Sequence, residues 1–310
     1  MITSPYAAAL DALGGRRRVS RVAGSATAYW VYGEQTAKPP LVVVHGFRGD
    51  HHGLEPIVAQ LAGRQVIAPD LPGFGESSPF TDRRHDVDGY AGWLVDFVAQ
   101  VTPGGRTILL GHSFGSVVVA AALSRGLAAH RAIMVNPIAA PALAGPRGVL
   151  TRLTAGYYRL GAALPERLGL GLLANRGIVR GLSMVMAKTP DRERRRWIHD
   201  QHHRYFSRFA NRQVVLEAFR AATGTDVSQY ASTIPVPVLL IGADRDDVTA
   251  PAAQYHLVSL FPNAELIMIP RVGHLIHYEA PERAAAAILA FTGPQRHADN
   301  PAPPSPDGSG

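Results

Sequence analysis

At 310 residues, with 46% hydrophobic and 18% charged residues, the chain has the composition of an ordinary globular protein long enough to bury a large core. It has no cysteine, which excludes disulfides and thiolate metal sites. The net charge of +7 sits unevenly: residues 139 to 222 hold fifteen Arg or Lys against five Asp or Glu, a net of +10, so the rest of the chain sums to −3.

At the N-terminus, Ala7 to Leu10 is too short for the apolar core of a secretory signal, and Arg16 to Arg18 follow it instead of preceding it. No run of about 20 apolar residues occurs, so a cytoplasmic protein is expected. RRVSRVAGSATAYWVY (17 to 32) alternates in two stretches around Ala-Gly-Ser, which predicts an edge hairpin. PLVVVHGF (40 to 47) is a short β-branched run suited to a strand covered on both faces, and QVIAPDLPGFG (65 to 75) repeats the design before a Pro and Gly loop. A helical pattern over 89 to 101 leads to the strand RTILLGH (106 to 112), a helix from about 114 to 126 and the strand HRAIMVNP (130 to 137). Strands alternating with helices predict an α/β fold with a mostly parallel central sheet flanked by helices.

The pattern changes over 138 to 222, where apolar residues recur at helical spacing, broken by Gly and Pro. This predicts an inserted helical cap over the C-terminal edge of the sheet, where ligands bind in such folds. The basic segment lies here but lacks nucleic-acid motifs, so no nucleic-acid partner is expected. A solvated helix face explains the charge, with weak contact to an anionic membrane as the alternative. The sheet resumes with VPVLLIG (236 to 242), a helix over 251 to 260, AELIMIP (264 to 270) and a helix over 281 to 292. The core is thus expected over 1 to 137 and 223 to 292, and 293 to 310, rich in Pro, Gly and Ser, is expected to be disordered.

Within ILLGHSFGSVVVAAAL (108 to 123), Ser113 stands between Gly111 and Gly115 where strand turns into helix. A nucleophilic serine needs that position, because the sharp turn exposes its oxygen beside unpaired helix N–H groups and leaves room only for small neighbours two residues away. With this motif, the chain resembles the α/β-hydrolase family from about residue 17 to 292. HGFRGD (45 to 50) resembles its His-Gly oxyanion loop, DLPGFGES (70 to 77) its Asp-x-x-Gly-x-Gly-x-Ser loop and GHLIHYEAP (273 to 281) its C-terminal histidine motif.

The resemblance implies a serine hydrolase in which Ser113 is the nucleophile and His274 the general base, His277 being the lesser alternative. Family spacing of glycine and proline around the acid selects Asp246 among the carboxylates of DRDD, with Asp247 and Asp244 kept as alternatives. The backbone N–H groups of Phe47 and Phe114 would form the oxyanion hole. His45, Gly46, Gly111, His112 and Gly115 would support the loops. A serine rather than an aspartate at the elbow argues against haloalkane dehalogenase and epoxide hydrolase chemistry, so Tyr157 and Tyr158 are expected to line the pocket or pack. No metal or organic cofactor is expected. The function implied is hydrolysis of a carboxylic ester, or a related acyl bond, of a small to medium apolar substrate. Two alternatives stand beside it: carbon–carbon bond hydrolysis, weakened by His112 where such elbows commonly have Asn, and a ligand receptor that keeps the triad with little turnover.

Overall fold

The computed structural model describes residues 2–104, 106–140 and 148–293; the expected disorder of 293 to 310 lies, apart from Gly293, outside the described residues. One sheet contains β1 (Arg16–Val22), β2 (Ser25–Tyr32), β3 (Leu41–Val44), β4 (Val66–Pro69), β5 (Ile108–His112), β6 (Arg131–Val135), β7 (Val238–Ala243) and β8 (Ala264–Ile269). Their order is β1-β2-β4-β3-β5-β6-β7-β8. β1 with β2 and β2 with β4 pair antiparallel, and every other neighbouring pair is parallel.

β3, β4, β5 and β7 are buried along their whole length, which is why their sequences read as unbroken apolar runs. Alternation then divides their side chains between two cores. Val42, Val44, Leu109 and Leu240 pack with Trp93, Phe97 and Val117 of the helices Val87–Val101 and Phe114–Ser124. Leu41, Val43, Ile108 and Ile241 pack with Ile57, Ile276 and Ile288 on the opposite face. At the edge, β1 exposes Arg16, Arg17, Arg18 and Arg21, charges that discourage pairing with a further strand.

Between β6 and β7 lie the cap helices Gly148–Ala163, Glu166–Leu173, Arg176–Met186, Arg192–Tyr205 and Arg212–Gly224. The expected cap boundary at 222 runs through the last of these. Val214, Ala218 and Ala221 form one apolar face of that helix and join the main core, so the helix serves both layers. Three short helices, Ala7–Leu13, Glu55–Val58 and Ile276–Glu279, have no counterpart in the sequence reading, because one or two turns are too short to show a helical period. Among the described residues, no helix is long and apolar enough to cross a membrane.

Candidate active site

β5 ends at His112 and the next helix begins at Phe114, so Ser113 alone makes the turn. Its φ of 52° and ψ of −120° lie in a region that costs a non-glycine residue on the order of 1–3 kcal/mol. Ser113 N–H donates to Val135 O at 3.0 Å, and the Ser116 N–H and hydroxyl both donate to Ser113 O. The flanking glycines are sterically required. A Cβ on Gly115 would stand 2.2 Å from Val44 O, and one on Gly111 would stand 2.4 Å from Gly115 O.

The turn aims Ser113 Oγ at His274, in the loop after β8, with 2.8 Å between Oγ and Nε2. On the other side of the ring, Nδ1 lies 2.8 Å from Asp246 Oδ2. A carboxylate can only accept, so Nδ1 carries the proton and Nε2 is left to accept from the serine hydroxyl. Asp246 Oδ1 accepts from the N–H groups of Val248 and Thr249 at 2.8 and 3.0 Å. Burial raises the Asp246 carboxyl, but the His274 charge and hydrogen bond together with those two N–H groups outweigh it and hold the group below its ordinary value.

The other candidates point elsewhere. Asp244 is exposed and accepts from Arg271 N–H at 2.6 Å, and Asp247 pairs with Lys188 of the cap. His277 is buried with its ring centroid 4.1 Å from that of His112. Sequence reasoning missed Asn136, a fully buried residue at the end of β6 that donates Nδ2 to Asp246 Oδ2 at 3.0 Å and accepts from Ile276 N–H at 3.3 Å. A polar residue with φ of 45° at the end of an apolar strand is the only signal it leaves, and φ is invisible in sequence.

Across from Ser113, the loop after β3 is pinned by His45, whose Nε2 accepts from Leu71 N–H at 2.8 Å while Nδ1 donates to Gly46 O at 2.8 Å. Its ring is held neutral by burial. Gly46 packs under Ser113, where an added Cβ would lie 3.1 Å from Ser113 Cβ. Phe47 follows on this loop, and Phe114 opens the helix. Among the described residues, no loop, turn or capping hydrogen bond between backbone groups uses the N–H of either.

Comparison with known proteins gives these residues a context. The chain is 24% identical over 265 residues to Lipase 3 of Moraxella sp., covering 81% of this chain and 76% of the lipase. It is 25% identical over 258 residues to the pimeloyl-[acyl-carrier protein] methyl ester esterase of Stenotrophomonas maltophilia, covering 82% and 92%. An esterase structure from Thermogutta terrifontis superposes with a TM-score of 0.70 at 22% identity, covering 89% of this chain and 97% of the esterase. The profile of the alpha/beta hydrolase family matches residues 41–287. The chain belongs to the alpha/beta hydrolase family.

In this alpha/beta hydrolase chain a cavity of about 270 Å³ lies between the sheet and the cap, and Ser113 and His274 open onto it. Phe47, Phe114, Ile138, Leu182, Met186 and Phe219 contribute apolar wall, and Tyr158 joins them, stacked 3.8 Å from Phe219. Tyr157 turns away, donating to Leu172 O and Leu173 O. His112, His202 and His277 also line it. Burial, followed by the charge of a neighbouring histidine, pushes His112 and His202 each down to about 3, and His277 shifts the same way. Asp50, His51 and His52 each bring one potential metal-ligand atom within 4.8 Å of the others. Two of those groups are already engaged, His51 Nδ1 with Asp70 and His52 Nδ1 with Asp50.

Proposed function

We propose that the protein hydrolyses a carboxylic ester of a small to medium apolar substrate through an acyl-enzyme on Ser113. The observation that carries this reading is the hydrogen-bonded line Ser113–His274–Asp246 opening onto an apolar cavity. In the first step Ser113 Oγ attacks the ester carbonyl as His274 Nε2 takes its proton, and Asp246 stabilises the imidazolium without itself being protonated. The N–H groups of Phe47 and Phe114 hold the tetrahedral oxyanion, each donor supplying on the order of 100 to 1,000-fold in rate. His274 then protonates the leaving alcohol, and a water molecule activated by the same ring releases the acid. A cavity of about 270 Å³ stands near the lower end of the range for small-molecule sites, roughly 300–1,000 Å³, in keeping with a modest acyl group. The two curated relatives are named for action on lipids or a methyl ester, which agrees with ester chemistry over carbon–carbon cleavage.

The experiment is labelling with a fluorophosphonate probe, comparing wild type with Ser113→Ala by intact mass, followed by a p-nitrophenyl ester chain-length series. Labelling confined to wild type with multiple turnover supports the reading. A folded wild type that neither labels nor turns over esters would overturn it in favour of a ligand receptor.

A second property concerns the cap. Leu160, Leu168, Leu170, Met184 and Val185 are exposed there among exposed Arg159, Arg167, Arg176 and Arg180, a combination that supports weak contact with anionic membrane beside catalysis.

A further inference from the structure

Arg48 follows Phe47 on the loop after β3 and is 1% exposed. Its φ of 60° is one that glycine adopts most readily, so local backbone preference does not explain an arginine there. The side chain explains it. It leaves the sheet layer and ends among three cap segments. Nη1 donates to Tyr158 Oη at 3.1 Å, Nη2 to Leu173 O at 2.7 Å and Ser207 Oγ at 3.2 Å, and Nε to Phe206 O at 3.2 Å.

All four acceptors are neutral, yet the cation is compensated. Leu173 is the last residue of the helix Glu166–Leu173, and Phe206 is the C-cap of the helix Arg192–Tyr205. Two of the acceptors are therefore helix C-terminal carbonyls, which lack intrahelical partners and stand at the negative ends of helix dipoles. The guanidinium carbon also lies 4.7 and 5.4 Å from the ring centroids of Phe206 and Phe209, where the ring faces attract a cation. The planar fork of arginine spreads five N–H donors over three nitrogens, whereas the ammonium of lysine offers three from a single point and cannot span the same acceptors.

The same contacts reach the reacting end of the cavity. Tyr158, gripped by Arg48, stacks on Phe219, and the Phe47 ring lies 5.9 Å from Tyr158 and 6.0 Å from Phe219. Arg48 and Phe47 are joined by one peptide bond, so a force on the arginine is felt at the Phe47 backbone. Resting on the ester-hydrolase reading above, we infer that Arg48 is a positioning residue that couples cap closure to the oxyanion loop. With its fork seated on Tyr158, Leu173 and the Phe206–Ser207 turn, the cap is shut and Phe47 N–H faces the substrate oxygen. When the fork leaves its acceptors, cap and N–H relax together.

The test compares full-length wild type, Arg48→Gly and Arg48→Lys. Glycine accepts the φ of 60° without strain, so the loop can keep its path while the fork is lost. In Arg48→Gly, amide exchange in peptides covering 166 to 175 and 203 to 210 should quicken by about tenfold or more, local opening being governed by such contacts. The kcat on p-nitrophenyl butyrate should fall about tenfold with KM within about twofold, because a displaced oxyanion donor weakens only the transition state. Fluorophosphonate labelling should slow in parallel, and Arg48→Lys should fall between the two. Unchanged exchange overturns the latch, and a raised KM at unchanged kcat overturns its link to the oxyanion loop by reducing Arg48 to pocket wall. A wild type inert to esters and probe would sink the ester reading, and with it the link, while exchange still decides whether Arg48 holds the cap.

Discussion

Asn136 donates to Asp246 Oδ2 at 3.0 Å, the same oxygen to which His274 Nδ1 donates at 2.8 Å. Its own Oδ1 accepts from Ile276 N–H, two residues beyond His274, so one buried amide fixes both the carboxylate and the loop that carries the imidazole. Replacing Asn136 with Ala should lower kcat by roughly 10 to 100-fold, by analogy with the loss when the outer-shell partner of a metal ligand is removed. Asn136→Asp should be worse, since it buries a second carboxylate beside Asp246. Steady-state kinetics on both variants, with circular dichroism to verify folding, checks this. Full activity in Asn136→Ala would show that the Val248 and Thr249 N–H groups suffice to hold Asp246.

The three carboxylates of DRDD should separate cleanly. Asp246→Asn is expected to lower kcat by about 10,000-fold, because the amide can donate and so favours the wrong imidazole tautomer. Asp247→Asn removes the partner of Lys188 in the cap and should change KM by less than about fivefold, as expected of a partly exposed ion pair. Asp244→Asn should leave kcat within about twofold. Kinetics of the three variants on one ester decides the assignment, and an Asp246→Asn enzyme with full turnover would move it to a neighbour.

Gly115→Ala should fail at the level of the fold. Its Cβ would meet Val44 O at 2.2 Å, and both groups belong to backbone held in the sheet and helix. A loss of about 3 kcal/mol or more is expected, at the severe end for single substitutions. For a chain of this size that corresponds to roughly 5 °C in Tm. Thermal unfolding of Gly115→Ala beside Gly171→Ala, a cap position where an added Cβ meets nothing within 4 Å, separates the steric effect from the change of residue type.

Acid should destabilise the protein well before its carboxylates titrate. His112 and His202 are each held down to about 3, first by burial and then by a neighbouring histidine, against about 6.5 in the unfolded chain. Both are neutral in the folded state between these values, while the unfolded state takes up the protons. Stability is therefore full above about pH 6.5 and falls as the pH drops from there toward 3, by at most about 1.4 kcal/mol per pH unit for each group. At pH 5 the two together give a loss on the order of 4 kcal/mol, or roughly 6 °C in Tm. The depressed Asp246 carboxyl adds its own loss only as the pH falls below about 4. Tm measured from pH 7.5 to 4.5 should show this slope, and His202→Gln should recover about 2 kcal/mol of the loss at pH 5. A flat profile would mean that these rings take up protons as readily in the folded state as in the unfolded chain, and would overturn the prediction.

Exposed leucines beside arginines on the cap predict flotation with vesicles containing anionic lipid at about 20 mM salt and release at about 500 mM, where the screening length falls to about 4 Å. Leu168→Ser with Leu170→Ser should weaken flotation at low salt. No flotation at low salt would leave the basic face as a solvated surface.

Strand identity was legible because β3, β5 and β7 are apolar on both faces, and a run such as LVVV or ILLG has few other stable destinations. The turn at Ser113 was legible for a steric reason, since glycines at 111 and 115 are needed wherever strand and helix approach this closely. What only the tertiary structure decided lies where distant segments meet. Spacing in the sequence favours Asp246 among the three carboxylates of DRDD, but its contacts with His274, 28 residues on, and Asn136, 110 residues back, come only from the direction each side chain takes out of one turn. Nothing in HGFRGD singles out Arg48, yet it is buried on helix ends 125 and 158 residues downstream. Local sequence sets periodicity and turn sterics, which act over a few residues. The burial of a charge and the choice among neighbouring carboxylates are set by groups that folding alone brings together.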